Sequence, residues 1–277
     1  MQEMGSAPDQ KPIIIPFLKW AGGKRWLVSN YPDLFPEKYK NYVEPFLGSG
    51  AVYFHMQPHR AILGDANADL IGVYQQIKEN WKPVAKTLQS YHRLHDKDFY
   101  YEIRGKEFRS PVKKAAKFIY LNRTCWNGLY RVNLNGNFNV PIGTKKNVIL
   151  HTDDFETVSQ QLSNTELHAS DFENIINQAE AGDFLFVDPP YTVKHNLNGF
   201  VKYNEQIFSW DDQVRLRDCI DNAVVRGVKV LLTNADHESI HELYDGIGEM
   251  ISLDRLSVIS GNADGRGRYS ELIVKCY

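Results

Sequence analysis

A chain of 277 residues that is 43% hydrophobic and 24% charged can bury a sizeable core, as one large soluble domain or one domain carrying an insert. Its apolar runs are too short to cross a bilayer, and the polar start lacks the apolar core of a secretory leader, so a soluble chain is expected, with residues 1–12 disordered. A net charge of −2 by itself argues against a polyanion partner, and three distant cysteines, Cys125, Cys219 and Cys276, argue for a reducing compartment and against a disulfide framework or a metal site.

The first element follows Phe17-Leu18-Lys19-Trp20-Ala21-Gly22-Gly23-Lys24, whose glycine pair allows close backbone approach or a positive φ. A helix over 24–31 is expected, stopped by Pro32. A lysine at a helix start opposes the dipole, which points to an anionic ligand or to a plain Gly-Gly turn. Tyr42-Val43-Glu44 reads as a strand that runs through Pro45-Phe46-Leu47 into Gly48-Ser49-Gly50, with a helix over 51–56 behind it. Strand, Gly-x-Gly and helix together set a nucleoside cofactor against a helix N-terminus. The full dinucleotide fingerprint asks for a third small residue where this chain has Tyr53. The strand over 61–65 ends in Asp65, placed to accept hydrogen bonds from a ribose diol or to cap the next helix, 68–78; Asn67 can cap instead.

Residues 81–120 read as helix in pieces, broken near Pro83, His95 and Pro111. From Arg104 to Lys146 ten cations face the single acid Glu107, so this segment carries +9 and the remainder −11. A basic block on an acidic body suits either a phosphate-facing surface or a solvated helix face. The pattern then changes to Leu121-Asn122-Arg123-Thr124-Cys125-Trp126-Asn127-Gly128-Leu129-Tyr130-Arg131, rich in Asn, Arg and aromatics. A hairpin over 132–140 with Asn135-Gly136 at its middle follows, ended by Pro141. Exposed aromatics and arginines on such a hairpin can enter a DNA groove, whereas Trp126 and Tyr130 can equally be core.

Asp171 follows the strand Glu166-Leu167-His168-Ala169 and opens a helix over 172–179. Phe184-Leu185-Phe186-Val187 is a buried strand that delivers Asp188-Pro189-Pro190-Tyr191. An acid at the carboxyl end of such a strand sits where open α/β sheets place their chemistry. The prolines stiffen the turn and leave carbonyl acceptors, and an aromatic ring follows at once. Carboxylate, carbonyl and ring together can hold a flat molecule bearing an amine. Three strand-end acids, Asp65, Asp171 and Asp188, suggest one cleft lined along its rim. The polar loop 192–206 has the length of a lid. Ser209 and Asp212 make an approximate capping box for a helix that Gly227 ends, and a strand over 228–233 follows. Residues 255–260 and 271–276 read as a closing antiparallel pair, joined by a glycine-rich basic loop that includes Arg268.

In this order the motifs resemble the adenine-N6 DNA methyltransferases related to Dam, the D12 class that includes the GATC enzymes of restriction systems. The likeness runs from Phe17 to the C-terminus: a lysine-tryptophan-glycine motif, a glycine motif, an inserted recognition region, then Asp-Pro-Pro-Tyr, with Asn127 to Arg131 and Phe138-Asn139-Val140-Pro141 between. The resemblance implies an α/β fold, a doubly wound, mostly parallel seven-stranded sheet of the Rossmann-like methyltransferase kind. Residues 13–72 and 150–277 would form the cofactor-binding catalytic domain, and 73–149 an inserted helical and hairpin target-recognition domain. It implies S-adenosylmethionine as cofactor, S-adenosylhomocysteine as product and no metal. Trp20, Lys24, Glu44, Phe46, Gly48 and Gly50 would line its methionine end, Asp65 would take the ribose hydroxyls, and Asp171 and Phe172 the adenine. Asp188, Pro189, Pro190 and Tyr191 would receive the target base, with Asp188 also bordering the cofactor. Double-stranded DNA would be held by Lys19, Arg123, Trp126, Asn127, Leu129, Arg131, Asn139, Pro141 and Arg268, with Arg131 on a guanine and Trp126 with Asn127 at the unstacked step. The family often has Tyr or Phe where this chain has Trp126. A monomer in the cytoplasm of a bacterial or phage-infected cell is expected, associated with the nucleoid, with a partner restriction endonuclease as a further expectation. Methylation of cytosine N4 or of adenine in RNA is the near alternative, since both use an exocyclic amine. A nicotinamide oxidoreductase is disfavoured by the missing third glycine, and a non-catalytic DNA-binding relic by the complete Asp188 to Tyr191 motif.

Overall fold

A computed structural model of the protein describes residues 12–133, 136–194, 208–256 and 268–277. Seven strands form one sheet in the order β3-β2-β1-β4-β5-β7-β6. They are β1 (Tyr42–Glu44), β2 (Ala61–Asp65), β3 (Thr165–Ala169), β4 (Phe184–Val187), β5 (Lys229–Ala235), β6 (Glu249–Leu256) and β7 (Arg268–Cys276). The first five pair in parallel, and β7 runs antiparallel between β5 and β6. The α/β class and the mostly parallel seven-stranded sheet expected from the sequence are both present.

Side chains of the central strands alternate between two buried layers, as the two-residue period of a strand requires. Tyr42, Phe184, Phe186, Leu231 and Ile273 face one cluster, and Val43, Leu185, Val187, Leu232 and Val274 face the other. The first layer is covered by α2 (Ala51–Met56), α3 (Ala68–Leu94), α5 (Pro111–Thr124) and α6 (Phe155–Leu162), the second by α7 (Phe172–Ile176), α8 (Trp210–Val225) and α9 (Glu238–Tyr244). Among the described residues two further α-helices are α1 (Arg25–Asn30) and α4 (Lys97–Gly105). Apolar burial on both faces is what a parallel sheet needs.

Several boundaries differ from the sequence reading. Helix α3 runs on to Leu94 and its break falls at Asn80, with φ −137° and ψ 34°, three residues before Pro83. A proline ring clashes with the backbone one turn before it, so the distortion appears upstream of the ring. Asn67 rather than Asp65 caps α3, its side chain accepting from Leu70 N. The Ser209–Asp212 capping box is complete. Helix α7 stops at Ile176 rather than 179, and β6 begins at Glu249, ahead of the expected 255. Among the described residues the hairpin expected over 132–140 shows a single bridge, Val132 with Phe138. Asn135 at its expected tip, all but residues 192–194 of the expected lid over 192–206, and residues 261–267 of the glycine-rich loop lie outside the described residues. So do residues 1–11 of the N-terminus expected to be disordered. Arg268 opens β7.

Candidate active site and nucleic-acid face

Strand β4 is buried throughout, and its carboxyl end delivers Asp188 beside β5. Asp188 Oδ1 accepts from Thr233 Oγ1 at 2.7 Å and pairs with Lys24 Nζ at 2.8 Å. Lys24 is 3% exposed; its ammonium also donates to Gly22 O at 2.9 Å and faces Glu271 Oε2 at 3.3 Å. Three donors therefore meet three acceptors. Burial works against the lysine charge, but Asp188, Tyr191 and Glu271 outweigh it and push the ammonium well above its usual range. Burial raises the Asp188 carboxyl, and Lys24 opposes that rise. The Tyr191 hydroxyl donates to Glu271 Oε2 at 2.8 Å, and the Lys24 ammonium lies 4.9 Å from the Tyr191 ring centre. The mismatch of a lysine at a helix start is thus answered by two carboxylates of the chain itself; α1 begins one residue later, at Arg25. Pro189 is buried and Pro190 half-buried behind the acid.

The glycine turn lies one strand away. Gly48 and Gly50 have φ of 48° and 64°, in the region that favours glycine. A Cβ on Gly48 would stand 2.7 Å from Trp20 Cδ1, so the close approach of Trp20 requires the bare backbone. Gly48 N donates to Asp65 Oδ2 at 3.1 Å, and the Tyr74 hydroxyl of α3 donates to Gly48 O at 3.0 Å. Asp65 Oδ1 accepts from Asn67 N at 2.9 Å. Tyr53, in place of a small residue, is fully buried and ties α2 to Gln161 O and Thr165 Oγ1, both at 2.8 Å. The departure from the dinucleotide fingerprint is therefore a packing device between α2 and β3.

Glu44 ends β1 at 2% exposed and accepts from the Tyr42 hydroxyl at 2.8 Å. Burial pushes its carboxyl well above the usual range, and the charges of Asp188 and Asp65 add to that rise. Glu44 thus stands electrostatically between the Asp188 corner and the Gly48 turn. Phe46 stacks on Phe172 with ring centres 5.5 Å apart. Asp171 caps α7 through Glu173 N and holds Arg215 with two bonds, of 2.7 and 2.9 Å. The Arg215 bond draws its carboxyl below the usual range. Because β3, β2, β1 and β4 are consecutive in the sheet, Asp171, Asp65, Glu44 and Asp188 follow one another along one rim.

The second group of expected residues surrounds the end of α5. Asn122 clamps Lys19 on both sides, accepting from Lys19 N at 2.9 Å and donating to Lys19 O at 2.7 Å. A Cβ on Gly128 would meet Lys19 Cδ at 2.7 Å, so the turn and the lysine stem lie in contact. Trp126 is 52% exposed, which decides against a core role, whereas Tyr130 stacks on Phe118 and Trp20 at 4.7 and 5.6 Å. Asn127 is exposed at φ 55°, a left-handed conformation uncommon for a side-chain-bearing residue. Leu129 is half-buried and Pro141 exposed, with Pro141 O accepting from Trp126 N at 2.9 Å. Arg131 and Asn139 are both exposed, and Arg131 Nε donates to Asn139 Oδ1 at 3.0 Å.

Arg123 does not join this face. It is 1% exposed and its guanidinium is used up internally, on Phe17 O, Val148 O and both oxygens of Asp153. The expectation of a DNA contact from Arg123 is corrected: in the basic run it is the member that turns inward to tie α5 to the N-terminal segment. Thr233, Glu271 and Asn122 escaped the sequence reading as site residues. Thr233 and Glu271 lay at edges of expected strands, but only the placement of β7 beside β5 brings Glu271 to the Asp188 corner.

The family model for D12 class N6 adenine-specific DNA methyltransferases matches residues 20–259. The chain is 36% identical over 271 residues to Type II methyltransferase M1.LlaDCHI of Lactococcus lactis subsp. cremoris, with 95% of each chain covered. It is 34% identical over 286 residues to Type II methyltransferase M.MjaIII of Methanocaldococcus jannaschii, covering 94% of this chain and 98% of that one. Over 263 residues it is 31% identical to a DNA adenine methylase of Vibrio cholerae, with 93% and 94% covered.

Proposed function

The chain belongs to the D12 class of N6 adenine-specific DNA methyltransferases, and from that premise we propose that it moves a methyl group from S-adenosylmethionine to N6 of an adenine flipped out of double-stranded DNA, within GATC. The observation that carries the reading is the state of Asp188: Oδ1 holds Lys24 and Thr233, while among the described residues nothing bonds Oδ2. An oriented, ion-paired carboxylate with one oxygen in reserve is the acceptor an exocyclic amine needs.

The rim chemistry fits the cofactor. A purine suits the stacked Phe46 and Phe172, a ribose diol suits Asp65, and the cationic methionine end suits the acids Glu44 and Asp188. Trp20, Lys24, Gly48 and Gly50 would complete that end, and Asp171 would border the purine. S-adenosylmethionine supplies an electrophilic methyl carbon on sulfur, and S-adenosylhomocysteine is what remains.

Adenine N6 is a poor nucleophile because its lone pair is delocalised into the ring, and a stacked base is out of reach. Tyr191 stacks on the extruded ring. Asp188 Oδ2 and the Pro189 carbonyl accept the two N6 hydrogens, which turns the lone pair out of the ring plane. S-adenosylmethionine, held by Trp20, Glu44, Gly48, Gly50 and Asp65, would supply the methyl carbon to that lone pair, and S-adenosylhomocysteine would leave with the sulfur electron pair. Asp188 takes the proton that the alkylated nitrogen releases and passes it to solvent. Positioning and fixed charge supply the rate, with no covalent enzyme intermediate.

Lys19, Trp126, Asn127, Leu129, Arg131, Asn139, Pro141 and Arg268 hold the duplex in this proposal. Residues 73–149 serve as the recognition region on a catalytic body of 13–72 and 150–277. The enzyme acts as a monomer in the cytoplasm. Two similar proteins are named Type II methyltransferases, which supports a restriction-modification role with a partner endonuclease. Among the described residues no helix is long and apolar enough to cross a membrane. Methylation of plasmid DNA followed by mapping of modified bases tests base and site together. N6-methyladenine confined to GATC is expected, and modified cytosine or another site would overturn the assignment. Asp188→Ala is expected to remove methyl incorporation.

A further inference from the structure

We propose that Glu271, on the antiparallel strand β7, is a positioning residue of methyl transfer: it neutralises Lys24, so that the charge of Asp188 is left for the substrate amine, and it anchors the Tyr191 ring. The proposal rests on the reading of Asp188 and Tyr191 given above and assigns a role to a residue outside every motif that suggested it.

Lys24 is needed to keep a buried aspartate ionised, but a lysine paired with one aspartate leaves a neutral pair. A neutral pair is a weak stabiliser of a methyl group that leaves a sulfonium and of an amine that becomes cationic. Glu271 Oε2 stands 3.3 Å from the same ammonium, with its side chain 8% exposed. Lys24, Asp188 and Glu271 then sum to one net negative charge, placed where positive charge moves from sulfur to nitrogen. The same Oε2 receives the Tyr191 hydroxyl at 2.8 Å, which fixes the ring that stacks on the base. β7 pairs with β5 so that Glu271 stands opposite Ala235, two residues after Thr233, and Thr233 holds Asp188. One strand pairing therefore sets both carboxylates around one lysine.

Among the described residues the charged and titratable groups facing Asp188 are Lys24, Glu271, Tyr191 and Glu44. Glu271 acts on Asp188 as a like charge and raises its carboxyl. Loss of that charge has a signature that loss of packing lacks: the acid limb of the kcat profile moves to lower pH. Glu271→Gln keeps the size and an oxygen for the Tyr191 hydroxyl but removes the charge. Steady-state methylation of a GATC duplex by this variant is expected to show kcat lowered 10- to 100-fold, KM for DNA within threefold, and the acid limb displaced downward. Glu271→Asp keeps the charge and is expected to recover most of kcat with the limb unmoved. A Glu271→Gln enzyme with wild-type kcat and limb overturns the proposal, as does a Glu271→Asp enzyme impaired as deeply as the amide. If the amide variant does not fold, the aspartate variant decides alone. Asp188→Asn, assayed in parallel, separates the two ideas: turnover retained there defeats the reading of Asp188, whatever Glu271→Gln does.

Discussion

Lys24 and Asp188, 164 positions apart in the chain, meet at 2.8 Å in a site where the lysine side chain is 3% exposed. A lone buried charge is strongly unfavourable, so each needs the other to remain charged. The contact also joins the two outermost motifs, the lysine-tryptophan-glycine stretch before α1 and the Asp-Pro-Pro-Tyr corner after β4. Folding of the sheet and ionisation of this corner are therefore thermodynamically linked.

Lys24→Met is expected to lower stability by about 3–5 kcal/mol at neutral pH, because Asp188 loses its counter-ion. The Asp188 carboxyl is already raised by burial, and without Lys24 it rises further. A carboxyl raised in the folded state binds protons more readily there than in the unfolded chain, so its effect on stability becomes less favourable as pH rises. The deficit of the variant is thus largest near neutrality and narrows as pH falls through the raised Asp188 pKa. Urea unfolding at several pH values measures it. With ionised Asp188 in its proposed role, residual activity is expected to lose its acid side first. A deficit independent of pH would mean that Lys24 acts by packing alone.

The parallel βα units and the acids at their strand ends were legible because each unit announces itself: an apolar run, an acid or glycine, then a capped helix. Glu271 was not, since an antiparallel β7 slipped between β5 and β6 leaves no local mark. Arg123 misled for the opposite reason. It sits in a run of cations, and only its partner Asp153, thirty positions on, reveals that it points inward. Trp126 could be read as core or surface because bulk alone does not orient a side chain; its exposure goes with the turn at Asn127 and Gly128, both at positive φ, whose glycine packs against Lys19.

Arg123→Ala is expected to be a stability variant. It leaves Asp153 buried without its cation and the carbonyls of Phe17 and Val148 without their donor, at a cost of about 3–5 kcal/mol. Thermal unfolding is expected to drop by several degrees. Affinity for a GATC duplex, corrected for the folded fraction, is expected to stay within twofold. A large affinity loss in a variant of normal stability would restore Arg123 to the DNA face.

Arg131→Ala tests the recognition turn. Asn139 holds Nε at 3.0 Å, and in the proposed contact the two terminal nitrogens of the guanidinium would meet a guanine edge together. A bidentate contact of that kind discriminates by roughly 1–3 kcal/mol, so preference at one guanine is expected to fall by about 5- to 150-fold. Cofactor affinity is expected to be unchanged. Asn139→Ala leaves the arginine in place but unoriented, so it is expected to relax the same base more weakly. Relaxation at a different base in the two variants would separate Asn139 from Arg131.

Gly48→Ala couples the two halves of the site. The added methyl would stand 2.7 Å from the Trp20 ring at a backbone φ of 48°, so either the turn or the indole must shift. Gly48 also donates to Asp65 and accepts from Tyr74, which hold the turn on both sides. The indole therefore yields. Trp20 stacks on Tyr130, the neighbour of Arg131, and on Phe118 of α5, so its displacement reaches the recognition turn. Equilibrium titrations are expected to show cofactor Kd raised at least tenfold, with a smaller loss of duplex affinity in the absence of cofactor. Trp20→Leu in the Gly48→Ala background removes the colliding ring and is expected to return part of the cofactor affinity without returning that for DNA. Were Gly48→Ala to weaken the cofactor and leave duplex binding untouched, Trp20 would transmit nothing and the two faces would be mechanically separate.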